Sequence, residues 1–70
     1  MLVRASSAKV ERDQKDKKLH VYISVGAEVI KRPLPKDAED ASDDTLRSIA
    51  VQTAKDEGYE VDPAQIALSH

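Results

Sequence analysis

Cysteine is absent from this 70-residue chain, and so are phenylalanine and tryptophan. Without cysteine there is no disulfide framework, no thiolate nucleophile and no thiolate metal ligand. Glycine occurs only as Gly26 and Gly58, too few for a loop that cradles phosphate. The histidines are His20 and His70, with no H-x-x-x-H spacing, so a zinc site needs carboxylates gathered around one of them. His20 lies in an alternating segment and is expected on an exposed strand face. No apolar run approaches the roughly 18 residues of a membrane span. The opening MLVRASSAKVERD has no signal-peptide core. These absences predict a soluble, cytoplasmic protein with no membrane partner.

The apolar complement is aliphatic. Leu, Ile and Val number 5, 4 and 7. A chain this short hides only about 60% of its extended surface, so one thin core is expected, completed where needed by a homodimer. Charge is plentiful and uneven. Residues 1–36 carry nine Lys/Arg against four Asp/Glu, and residues 37–70 carry two against nine, which together give the net −2. Such asymmetry marks either a partner surface or two halves that neutralise each other within one fold.

Leu19, Val21, Ile23 and Val25 alternate with His20, Tyr22 and Ser24, the period of a half-buried strand. Gly26-Ala27 then supplies a two-residue turn with glycine first, as a type II′ hairpin requires. The returning strand pairs Ile23 with Ile30, Leu19 with Leu34 and Val21 with Arg32 on one face, and Ser24 with Val29 and Tyr22 with Lys31 on the other. Arg32 on the inner face is accommodated if its guanidinium reaches past the end of the sheet. Pro33 has no N–H to donate, so this strand ends there or lies at an edge. Leu2, Val3, Ala8 and Val10 predict a strand over about residues 2–11, with a disordered start as the alternative, and RDQKDK connects it to the hairpin.

Asp40, Ser42 or Asp43 is placed to cap a helix, whose stripe is Leu46, Ile49, Ala50, Thr53 and Ala54. Ile23 and Ile49 are both expected in the core, and Val51 falls outside the stripe. Gly58 stops the helix in a left-handed conformation. Asp62-Pro63-Ala64-Gln65 reads as a capping box with proline at the first helical position, hence a short helix. Ile66-Ala67-Leu68 reads as a final strand, the preferred assignment, because a sheet facing one helix needs another apolar strand. The fold class is therefore α+β: a small antiparallel or mixed sheet in the order β-β-β-α-β, one helix on one face, a single domain over 1–70 with 33–42 as connector. From Lys18 onward, the order hairpin, acidic cap, amphipathic helix, glycine stop, Asp-Pro and IAL resembles the first half of ubiquitin-like β-grasp domains. The resemblance covers about residues 18–69, guides layout only and carries no function or residue across.

The segment KRPLPKDAEDASDDTL admits two sharper readings. RPLPK resembles the start of a polyproline ligand, but Ala38 stands where the next proline belongs, and an extended connector is favoured. Asp37, Glu39, Asp40, Asp43 and Asp44 supply oxygen donors, but the calcium-loop glycine and closing glutamate are missing, and acids at a helix N-terminus follow from its dipole. No metal, cofactor or catalytic residue is assigned, and no nucleophile elbow is present. The protein is expected not to be an enzyme.

Two binding readings are left. The first is a protein-interaction module, an adaptor, inhibitor or accessory subunit in the bacterial or phage manner, acting through a sheet edge and outer face at Tyr22, Ser24, Val29, Lys31 and Arg32. The second is nucleic-acid binding through Lys9, Arg12, Lys15, Lys17, Lys18, Lys31, Arg32 and Lys36. Glu11, Asp13 and Asp16 interrupt that basic run, and Tyr22 is its only stacking ring, which favours the first reading.

Overall fold

A computed structural model describes residues 2–69. Six strands, β1 (Val3–Arg4), β2 (Ser7–Arg12), β3 (Leu19–Val25), β4 (Glu28–Pro33), β5 (Tyr59–Glu60) and β6 (Ile66–Ser69), accompany one helix, α1 (Asp43–Asp56). The main sheet has the order β4-β3-β2-β6, antiparallel except for the parallel pair β2–β6. β1 and β5 form a separate parallel pair. The α+β expectation, helix on one face of a small mixed sheet, is what the chain adopts.

The hairpin has the register read from its alternation. Ile23 lies opposite Ile30, Val21 opposite Arg32, Ser24 opposite Val29 and Tyr22 opposite Lys31. Leu34 N–H donates to the Leu19 carbonyl at 3.0 Å, closing the last pair. Gly26 has φ 61°, whereas Ala27 keeps a negative φ, so glycine stands where the II′ turn needs it. Facing α1, Val10, Val21, Ile23, Leu46, Ala50 and Ala54 are fully buried.

Several expectations need correction. The opening strand is two strands: Val3 and Ala5 donate to Gly58 and Glu60 carbonyls, but Ser6 donates to Ser24, so the backbone changes partners at Ala5-Ser6. The helix stripe is present but wider than read. Leu46, Ala50 and Ala54 are buried, and Ile49 and Val51 are both half-buried against the core, Val51 on the flank where the β1–β5 pair adds cover. Ser42 is the cap among the three candidates, accepting from Thr45 N–H, and Gly58 has φ 92° beyond the helix end. The 33–42 connector contains a 3-10 turn over Lys36–Asp40 that buries Ala38. At the C-terminal end both readings hold in succession. Pro63–Gln65 is a 3-10 turn closed by the Asp62/Gln65 capping box, and Ile66–Ser69 is the strand paired with β2. The hairpin–helix–strand layout is thus present, but β2, which precedes the hairpin, stands between the hairpin and the last strand.

The uneven charge is largely neutralised within the fold. Arg4–Glu60, Arg12–Glu39 and Arg32–Glu57 join the basic half to the acidic half at 2.8, 2.9 and 2.9 Å. These pairs are exposed, so each adds little stability. Their effect is to engage Arg4, Arg12 and Arg32 within the fold.

Candidate partner-binding face

The side of the sheet opposite α1 is formed by alternate residues of all four strands. Tyr22 and Ser24 come from β3, Val29 and Lys31 from β4, Ser7 and Lys9 from β2, and Ala67 from β6. Ser7, Ala8, Lys9, Tyr22, Ser24, Val29, Gln65 and Ala67 line an open hollow of about 520 Å³. Tyr22 is its aromatic centre, with the Lys9 ammonium 5.6 Å from the ring centroid. Glu11 holds that lysine at 2.8 Å and raises its pKa by hydrogen bond and charge. Val29 is 63% exposed at the rim, a large apolar side chain with no cover. Single exposed apolar residues are ordinary, but this one adjoins both the tyrosine and a sheet edge.

Of the five residues expected to bind a partner, the fold gathers Tyr22, Ser24, Val29 and Lys31 on this face. Arg32 is on the other. Strand alternation turns it toward the helix side, where it meets Glu57 at 2.9 Å and its Nη1 donates to the Lys31 carbonyl. Lys9, Ala67 and Gln65 belong to the hollow but carry no local signal, since they arrive from strands paired across long sequence separations.

Of the eight bases proposed for phosphate contact, Lys9, Arg12, Lys31 and Arg32 are each ion-paired to a carboxylate. Lys15, Lys17 and Lys18 sit in the β2–β3 turn and Lys36 in the 3-10 turn, and none of these four has an ion pair among the described residues. Lys17 has φ 62°, an unusual conformation for a residue with a Cβ. Lys17, Lys18 and Lys36 rim a second hollow floored by Pro33, Leu34 and Pro35, shared with Glu39 and Asp40.

His20 is not the surface residue expected: it is 6% exposed. Its Nδ1 lies 3.0 Å from the Lys18 carbonyl and so donates to it, and its Nε2 lies 3.4 Å from Asp16. Asp13, Asp16 and His20 thereby bring three potential metal donors within 4.8 Å of one another. This is the gathering of carboxylates that a histidine site requires, produced by a turn whose conformation the sequence pattern did not specify. The Lys31 ammonium, however, is bonded directly to Asp13 and supplies a cation on that carboxylate. His70 lies outside the described residues.

The Lys31 contact, followed by the Lys15 N–H, holds the Asp13 pKa down to about 2, against 3.8 ordinarily. A depressed folded-state pKa contributes stability above the ordinary carboxylate range, and that contribution is lost as pH falls toward 2. Lys31→Gln is expected to return Asp13 toward its ordinary pKa and move acid unfolding to higher pH. Carboxyl-carbon NMR titration reads the first effect and circular dichroism the second.

No helix is long and apolar enough to cross a membrane among the described residues. No family model, curated protein or solved structure matches the chain.

Proposed function

We propose that this is a small cytoplasmic protein-interaction module that holds a polypeptide against the outer face of its sheet and the adjoining β4 edge. The carrying observation is the adjacency of Tyr22, Ser24 and Val29 on one open hollow bordered by an edge strand. Tyrosine suits such a role because it offers contact area, a polar tip and few rotors to freeze. An edge strand adds main-chain donors and acceptors, the means by which extended peptides extend a sheet.

Tyr22→Ala is expected to weaken the complex by about 2 kcal/mol, roughly thirtyfold, without changing the melting temperature. Calorimetric titration of a purified partner against parent and variant measures this. Equal affinities overturn the assignment of the face.

The nucleic-acid reading is supported by Lys15, Lys17, Lys18 and Lys36, which have no ion pair among the described residues. It predicts affinity falling steeply with salt, by a slope close to the number of phosphates neutralised. The ion-pairing of the other four proposed bases favours the first reading.

A further inference from the structure

We infer that β4 pairs with β4 of a second copy of this chain, antiparallel about a two-fold axis at Ile30. This inference rests on the sheet-edge reading above and names the partner of that edge.

The argument starts from the backbone. In an antiparallel ladder, alternate residues turn their N–H and C=O toward one neighbour and the residues between them turn outward. The Leu34-to-Leu19 hydrogen bond and the two-residue turn after Val25 fix that alternation. Glu28, Ile30 and Arg32 face β3, while Val29, Lys31 and Pro33 face away from the sheet. Pro33 has no N–H, so the free edge offers two donors, at Val29 and Lys31, and ends there. The other edge, β6, reads Ile66-Ala67-Leu68-Ser69 and has no charged side chain to select a partner.

The side chains then choose the register. With the axis at Ile30, Val29 N–H and C=O meet those of the partner's Lys31, and the symmetric pair repeats this, giving four main-chain hydrogen bonds. Ile30 lies against its own copy, a β-branched pair at the close, non-hydrogen-bonded spacing. Glu28 falls opposite the partner's Arg32, twice, as a second carboxylate beside a guanidinium that already meets Glu57 of its own chain at 2.9 Å. Glu28 has no ion pair of its own among the described residues, and opposite charges directly across a ladder attract. Moving the axis to Lys31 sets two lysines face to face and spends Val29 on a proline that cannot donate. Moving it to Val29 sets Glu28 against isoleucine. Of these three registers, the one centred on Ile30 alone pairs both outward donors and sets Glu28 opposite a cation. The ladder is short and its strand is blunted by Pro33, so the dimer is weak and reversible, consistent with an edge also open to other strands.

Sedimentation equilibrium of the full chain is expected to show a monomer–dimer exchange. Dilution should shift the amide resonances of Val29 and Lys31, with Tyr22 as their neighbour. Val29→Pro removes an outward donor without breaking the β3–β4 ladder, and should abolish dimerisation at an unchanged melting temperature. If that variant fails to fold, charge reversal decides. Glu28→Arg and Arg32→Glu should each weaken self-association at least about tenfold, by setting like charges opposite. An equimolar mixture of the two should restore it as a heterodimer, because both cross-pairs are then complementary. A chain monomeric at millimolar concentration, or a mixture no better than its components, overturns the inference. If a purified partner still binds and is weakened by Tyr22→Ala, the broader reading survives that loss. If partner binding instead perturbs only Arg47 and Lys55 on α1, the broader reading falls, while sedimentation still decides the dimer.

Discussion

Leu46→Ala is expected to cost about 3–5 kcal/mol and to leave the domain largely unfolded at room temperature. Leu46 has no exposed surface and is among the largest side chains enclosed between α1 and the sheet. Its removal forfeits the transfer energy of the lost carbons and leaves a void, since the sheet residues facing it, Val10, Val21 and Ile23, are themselves fully buried. Ile23→Ala belongs to the same class. Ile49→Ala does not. Ile49 is half-buried beside Pro33, Leu34 and Pro35 in an open groove, so about 1–2 kcal/mol is expected, because water already reaches part of the side chain. Urea unfolding followed by circular dichroism ranks the three. If Ile49→Ala proves the most damaging, the helix is rotated from the orientation described.

Ala50→Leu is the second large effect, in the opposite sense of volume. The buried side of α1 is Leu46, Ala50 and Ala54, one large side chain followed by two small ones. With a methyl group at Ala50, the helix backbone approaches the sheet closely there. Three added carbons have no space to enter, and must push α1 away from β3 or adopt a strained rotamer, at about 1–3 kcal/mol or more. Ser48→Leu, on the exposed side of the same helix, controls for composition and is expected to stay within about 0.5 kcal/mol of the parent. A gain in stability from Ala50→Leu would reveal a cavity at the interface.

The features legible in the sequence are those whose cause is local. The β3–β4 register follows from strict alternation and from one glycine at the one turn position that needs it. Ser42 and Gly58 bound the helix by chemistry confined to its ends. β1 and β5 are not legible in the sequence, because two-residue strands have no period and their pairing depends on where the helix delivers Tyr59. The same pair gives Val51 partial cover, beside the amphipathic stripe. His20 looked exposed because alternation assigns a face but not what lies over it, and the β2–β3 turn folds Asp16 against that face. Four of the five proposed binding residues came together because strand alternation alone places them. Arg32 was included for its charge, although its position in the alternation already turned it to the helix side.

The parallel pairing of β2 with β6 also bears on how the chain reaches this fold. Ala8 is matched with Ile66 and Glu11 with Ser69, so a central strand waits for a neighbour far along the chain. Contacts so distant in sequence close slowly, because the loop entropy is lost before the contacts compensate it. Before α1 and β6 dock, a sheet of β2, β3 and β4 has an apolar face without the helix and a β2 edge without β6. In such a state β2 is an open template for strands of other chains. The charges of Lys9, Glu11 and Arg12 on that strand then oppose its mispairing.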